Sequence, residues 1–481
     1  MVDKDLLSIQ EARSLVRAAK EAQASLAELG QEKVDAIVKA ISEAAYAQAE
    51  TLAVLAVEET GFGKVQDKKT KNILASKNLF DAIKDMKTIG VLCDNKEDKI
   101  VEIAVPMGVI AGIIPSTNPT STTIYKSMIA LKSGNAIVFT PHPSAKKCIG
   151  KTVEMIRSVL HDCGVCEDLV AVMSVPTLQG SGELMRVADL ILATGGPGMV
   201  KAAYSSGTPA LGVGAGNVPA YIERSADVKD AITKIFASKT FDNGTVCASE
   251  QSIITEYCIA EQVKYELSAQ GGYFLHGEDL TKVKAVMERG NGSMNPAIVG
   301  RDACYIAKLA GISVPEGTRL LISDEKGVGP KYPFSKEKLT ALLGFYVVED
   351  WKEACEMCHA LLENGGIGHS LAIHSKNEEV IREFGMKKPV SRMLVNTPST
   401  HGAVGLSTSL FPSFTLGCGT VGGSATSDNV TPLNLMNVRR MAYDLGNTCC
   451  ESAPAAPASG DDSIDVQAIT AMIVEQLKQM V

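Results

Sequence analysis

Short apolar runs alternate with helical patterns in this chain, and that alternation restricts its fold more than any other feature. Val109-Ile110-Ala111-Gly112-Ile113-Ile114 is one such run and stops at Pro115. Ala136–Phe139, Leu169–Met173 and Leu190–Leu192 are three more, with helical patterns at Thr122–Leu131 and Ala145–Leu160 between the earlier ones. Strand and helix in alternation predict a parallel sheet with helices on both faces. Ligands of such sheets lie at the carboxyl ends of the strands. Loops of the right kind follow there: Pro115–Thr120, Thr140–Pro143 and Thr194–Gly198, the last opening a helix. Glycines at a helix start let backbone amides approach a phosphate. One glycine-rich turn alone is read as a tight turn; three polar loops on one sheet edge are a stronger sign. None matches the dinucleotide fingerprint or the P-loop. Gly212-Val213-Gly214-Ala215-Gly216-Asn217 is a fourth glycine-rich segment, and residues 6–58 read as helices broken at Gly30.

A chain of 481 residues has room for two or three domains. Its net charge of −8 and lack of a basic run exclude a general nucleic-acid binder. The start has no basic segment leading into an apolar one, so no export signal is expected. No apolar stretch is long enough to span a bilayer. The 12 cysteines are therefore expected as thiols. Cys163 and Cys166 lie too far from Cys355 and Cys358 for zinc spacing. Cys355-Glu356-Met357-Cys358-His359 has the letters of a haem attachment site, but it falls in the helix-like stretch Trp351–Leu362 and is read as a helix face. No metal is expected.

The chemistry points to Phe241-Asp242-Asn243-Gly244-Thr245-Val246-Cys247-Ala248-Ser249-Glu250-Gln251. Cys247 follows an apolar helical pattern (Ile232, Ile235, Phe236) and precedes a strand starting at Ile253, which places it on a loop. A thiol acts as a nucleophile when it becomes thiolate, and a polar, partly open loop is expected to lower its pKa. An inert buried cysteine is the plain alternative.

Phe241–Gln251, Leu192–Tyr204 (Leu-Ala-Thr-Gly-Gly-Pro-Gly-Met-Val-Lys-Ala-Ala-Tyr) and Gly212–Pro219 together resemble the CoA-acylating aldehyde dehydrogenases. These belong to the aldehyde dehydrogenase superfamily. The resemblance is to the aldehyde half of bifunctional aldehyde–alcohol dehydrogenases and to the aldehyde dehydrogenases of bacterial microcompartments. It covers roughly residues 5–445, and the iron-dependent alcohol dehydrogenase half is not expected here. The resemblance implies NAD-dependent oxidation of a short-chain aldehyde, acetaldehyde or propionaldehyde, with CoA to acyl-CoA. Cys247 would attack the carbonyl to give a thiohemiacetal and then hold a thioester. Asn118 and the Cys247 backbone amide would hold the oxyanion. The cofactor would lie along Pro115, Ser116, Thr117, Thr140, Pro141, His142, Gly196, Gly214 and Leu416. Glu337 matches a carboxylate that holds the nicotinamide ribose; otherwise it is an exposed glutamate at a helix start. Hydrolytic relatives carry a water-activating glutamate where Val213 stands, and valine cannot deprotonate water. The acyl group should then wait for the CoA thiol. A hydrolytic dehydrogenase making a free acid, with another base, is the alternative. His369 matches a histidine that assists the CoA thiol, and a buried, hydrogen-bonded histidine is the competing role. Thr140 replaces a lysine near the adenosine ribose, which leaves NAD or NADP open.

The tail has its own character. Glu451–Gly460 reads as a flexible linker. Val466, Ile469, Ile473, Leu477 and Met480 then recur at helical spacing after a cap at Asp462 or Ser463. Such a helix is marginal alone and is expected to order on a partner. It resembles the helices that target enzymes to microcompartments, which implies shell or lumen proteins as partners and a cytoplasmic location inside such a body. The expected fold class is α/β, aldehyde dehydrogenase-like, with two parallel-sheet domains. These are a cofactor domain at 1–240 and a catalytic domain at 241–417. A closing or oligomerisation segment at 418–450, a linker at 451–461 and the amphipathic helix at 462–481 complete the chain. A homodimer or homotetramer is implied by the resemblance.

Overall fold

The computed structural model describes residues 3–289, 293–445 and 466–478. The expected linker and the expected cap at Asp462 or Ser463 lie outside the described residues. The chain forms two compact units, Met1–Leu92 with Ile103–Arg439, and Cys93–Glu102 with Arg440–Val481.

The strands in chain order are Gly90–Asn95 (β1), Ile100–Pro106 (β2), Val109–Ile114 (β3), Ala136–Pro141 (β4), Val170–Val172 (β5), Leu190–Thr194 (β6) and Ala210–Val213 (β7). Then come Val218–Ile222 (β8), Glu250–Glu256 (β9), Gly272–Leu275 (β10), Leu320–Asp324 (β11), Leu342–Val348 (β12), Gly368–His374 (β13), Val390–Val395 (β14) and Met436–Ala442 (β15). One five-stranded parallel sheet has the order β5-β4-β3-β6-β7, and one seven-stranded parallel sheet has the order β10-β11-β12-β9-β8-β13-β14. β15 joins β1 and β2 in a small third sheet.

All residues of β3 and β4 are buried. A strand covered on both faces is a continuous apolar run, which is why these two were readable from sequence. Gly112 in β3 has a packing reason: a Cβ there would stand 2.4 Å from the Phe139 ring of β4. The helices Lys4–Ala27, Gln31–Ala47 and Ala49–Thr60 match the helix-rich opening, and Gly30 is the residue before the second of them. A fourth helix, Val65–Ile73, packs against both the Pro119–Lys132 helix and the turn Phe241–Gly244.

Sheet membership changes earlier than the boundary expected at 240. β8 pairs with β9 and β13, so the passage from one sheet to the other lies between Val213 and Val218. The physical reason is the crossover: parallel β8 and β9 need the Val228–Lys239 helix to connect them. In the second unit, Arg440 pairs with Glu102 at 2.9 Å and the Tyr443 amide donates to the Lys99 carbonyl at 3.0 Å. The helix Val466–Lys478 lies there too, with Val466, Ile469, Ile473 and Leu477 all exposed.

Gly112→Ala should lower stability by about 1–3 kcal/mol through overpacking. Pairing it with Phe139→Leu should recover part of that loss. Urea unfolding midpoints of the two variants check both statements.

Candidate active site

The carboxyl ends of β3, β4, β6 and β7 open into one cavity of about 360 Å³. Neighbouring strands β3 and β6 mark where the winding of the sheet reverses, the usual crevice for ligands of this architecture. Pro115, Ser116, Thr117 and Asn118 line it after β3; Thr140, Pro141 and His142 at the end of β4; Gly196 after β6; Val213 and Gly214 at the end of β7. Cys247 and Glu337 come from the other sheet's connections and close the far side. Leu416 and His369 are absent from this wall. Leu416 is buried and bridges Asn429.

The turn that presents Cys247 has an unusual backbone. Asp242 and Asn243 have φ of 48° and 53°, and Gly244 follows at 74°. Non-glycine residues seldom adopt this region, and they do so where surrounding contacts impose it. Here the contacts are explicit. The buried Asp242 carboxylate accepts from the Lys64 amide (2.8 Å), Lys68 Nζ (2.9 Å), Lys71 Nζ (2.5 Å) and Thr245 Oγ1 (2.7 Å). Burial works against this carboxylate, but Lys71 and Lys68 outweigh it and hold its pKa low. Asn243 Nδ2 donates to the Gly300 carbonyl at 2.9 Å. The approach is so close that a Cβ on Gly63 would sit 1.8 Å from Asp242 Oδ1.

The Cys247 thiol is not activated by its loop. Burial, followed by the Glu337 carboxylate and the Cys418 thiol, pushes its pKa up to about 12, against the pull of Arg392. The expectation of a lowered pKa is thus reversed: the polar side chains of this loop are taken up by partners such as Lys68, Lys71 and Gly300, and the Glu337 carboxylate acts on the sulfur. Glu337 stands on an irregular segment before β12, not at a helix start, and its Oε1 accepts the Gly216 amide at 3.0 Å. Burial raises its pKa to about 7, with the Gly216 amide, Lys239 and Lys338 opposing. Among the described residues it is the only Asp or Glu lining the cavity, and no described Lys or Arg lines it.

Asn118 directly precedes the Pro119–Lys132 helix. Its Nδ2 donates to Thr117 Oγ1 at 3.1 Å and its Oδ1 accepts from Lys71 Nζ at 2.6 Å. His369, the second residue of β13, lies behind Gly216. A Cβ on Gly216 would lie 2.1 Å from the Cys247 carbonyl oxygen and 3.2 Å from His369 Cγ. The imidazole is buried, Nδ1 meets Ser370 Oγ at 3.0 Å, and Nε2 has no partner among the described residues. Burial and then Arg392 depress its pKa to about 3, so it is neutral at working pH.

Sequence reading missed Lys68, Lys71, Asp242 and Arg392. Arg392 Nη2 donates to the His369 carbonyl at 3.0 Å and to the Gly417 carbonyl at 2.5 Å. Nothing local marks Lys68 and Lys71 except their spacing of three on one helix face; their partners lie far away in sequence. Among the described residues no cluster of metal ligands occurs and ten cysteines are free thiols.

The profile of the "Aldehyde dehydrogenase family" matches residues 6–283, and the chain belongs to that family. It is 43% identical over 454 residues to the bifunctional aldehyde-alcohol dehydrogenase AdhE of Escherichia coli K12, which covers 93% of this chain and 51% of that protein. The chain therefore spans about half the length of that curated relative. Among solved structures it is similar to an acetylating aldehyde dehydrogenase from Geobacillus thermoglucosidasius, with a TM-score of 0.91, 47% identity and coverage of 92% and 99%. It is also similar to a propionaldehyde dehydrogenase from the fucose utilisation microcompartment of Clostridium phytofermentans, with a TM-score of 0.82, 30% identity and coverage of 90% and 97%.

A thiol with a pKa near 12 is almost wholly protonated at neutrality. Its alkylation by iodoacetamide in the ligand-free protein should therefore climb roughly tenfold per pH unit from pH 7 to 9. Peptide mapping of Cys247 over that range measures it. A plateau near pH 8 would show a sulfur that its surroundings do activate.

Proposed function

We propose that this chain oxidises a short-chain aldehyde, acetaldehyde or propionaldehyde, with NAD and CoA to acyl-CoA. The observation that carries this reading is the cavity wall: Val213 lines it where the resemblance places the water-activating glutamate of hydrolytic relatives. The similarity to acetylating dehydrogenases supports the same reading.

The cavity suits a dinucleotide. Gly196 and Pro197 line it at the start of the Pro197–Tyr204 helix, where free amides favour a pyrophosphate. Thr140 and Ser181 meet at 2.7 Å on the wall and offer hydroxyls rather than charge. Glu337 is the group suited to a ribose. NAD bound there supplies the hydride acceptor. The protein's own part is as follows. Cys247 Sγ adds to the aldehyde carbonyl carbon and loses its proton, and Glu337, half-ionised near pH 7, is the base beside it. Asn118 Nδ2–H receives the oxyanion that forms; one such donor contributes about 2.7–4 kcal/mol. Oxidation leaves a thioester on Cys247. The CoA thiol then adds to that carbonyl and loses its proton, Cys247 leaves as thiolate and takes a proton up, and acyl-CoA departs. His369, buried and neutral behind Gly216, packs this wall through its ring.

Glu337 also gives the hydrolytic alternative its specific support, because a carboxylate with a pKa about 7 could activate water. The two readings part in one assay. NADH release in steady state should require CoA, and Cys247→Ala should abolish it. Sustained NADH production without CoA, with free acid as product, would establish the hydrolytic reaction instead.

We further propose that the Val466–Lys478 helix is a targeting segment for a microcompartment shell or lumen protein. Its exposed Val466, Ile469, Ile473 and Leu477 form one apolar stripe, at spacings that fit a helix laid into a groove. The catalytic body would act as a homodimer or homotetramer. Deleting residues 451–481 should leave kcat unchanged and abolish co-sedimentation with shells. Equal encapsulation of the truncated enzyme would refute the targeting role.

A further inference from the structure

An amide side chain has two unlike ends. Only the NH2 end of Asn118 stabilises an oxyanion; its carbonyl end would repel one. What decides which end faces the cavity lies behind the wall. Lys71, on the Val65–Ile73 helix, donates from Nζ to Asn118 Oδ1 at 2.6 Å. Thr117 Oγ1 takes one Nδ2 hydrogen at 3.1 Å, which leaves the other free for a ligand.

The three hydrogens of the Lys71 ammonium are all committed: to Asn118, to Asp242 Oδ2 at 2.5 Å and to Thr245 Oγ1 at 3.2 Å. Lys68, one turn earlier, bridges the same two loops, from Asp242 Oδ2 to the Thr117 carbonyl, at 2.9 Å in both bonds. Asp242 is thus already paired by Lys68, and Lys71 adds the contact to Asn118. Both lysines are 2% exposed. Burial draws Lys71 down to about 8 against the pull of Asp242, so near neutrality it remains mostly an ammonium. An ammonium on Oδ1 polarises the amide and makes its remaining N–H a better donor.

We propose that Lys71 is a positioning residue for the reaction: through its bond to Oδ1 it turns the Asn118 amide NH2 toward the Cys247 adduct and strengthens it as an oxyanion donor. This rests on the roles proposed above for Asn118 and Cys247. Because the contribution passes through Asn118, it should vanish when Asn118 is gone, whereas a purely structural lysine would matter in either background.

The experiment is a double-mutant cycle on aldehyde oxidation in the full chain, with Lys71→Met, Asn118→Ala and both together. NAD titration and unfolding midpoints serve as folding controls. Lys71→Met should lower kcat about 10- to 100-fold, somewhat less than the loss of a whole oxyanion donor. Its NAD dissociation constant should stay within about twofold, since Lys71 does not line the cavity. In the Asn118→Ala background the same change should cost less than about twofold. Losses that multiply would overturn the proposal and make Lys71 structural. An unchanged kcat in Asn118→Ala alone would instead remove the oxyanion role of Asn118, whatever Lys71 does. Should Lys71→Met fail to fold, Lys71→Gln completes the same cycle with the same expected non-additivity.

Discussion

One buried carboxylate, that of Asp242, holds the chemistry of this protein in register. It sits on a left-handed turn, five residues before Cys247, and it draws two lysines of a distant helix onto itself. Burying three charges is costly, and the cost is offset only when each finds close partners. The donors around Asp242 meet that condition and hold the strained turn in place. Since the same lysines reach the Thr117–Asn118 loop, the turn before Cys247 and the loop after β3 are fixed to each other rather than separately. Neither sheet could do this alone, because the link runs through the Val65–Ile73 helix outside both.

The rest of the cavity follows from parallel-sheet geometry. Strands that point the same way deliver their loops to the same edge, so four loops meet around one space without any special interaction among them. The wall they build is mostly apolar and almost free of charge, with Glu337 the one acid among the described residues. That arrangement separates two tasks. Hydroxyls and helix-start amides suit a long ligand that must come and go. The ionisable groups are kept beside or behind the sulfur, where burial moves their pKa values: Glu337 up, His369 down.

Elements buried on both faces were legible in the letters, because a strand like β3 has no room for polar residues. Cys247 stood out from its small, polar neighbours, and the cavity-lining residues of β3, β4 and β6 from their place after apolar runs. The partners of Asp242 did not stand out. A helix carrying two lysines three residues apart is ordinary in sequence, and only folding makes those lysines buried. The sheet that β8 joins was not legible for a related reason: a five-residue apolar strand carries no mark of which sheet it will join.

What the amino-acid order settled by itself is the local part of this protein: which runs become strands, where loops fall, that Cys247 lies on one of them, and that valine stands at 213. These depend on neighbours within a few residues. What only the three-dimensional arrangement decided is the state of the groups in the candidate site. The Cys247 proton, the facing of the Asn118 amide and the seclusion of His369 are each set by burial and by charges brought from far along the chain, and solvation and charge act through space rather than along the sequence.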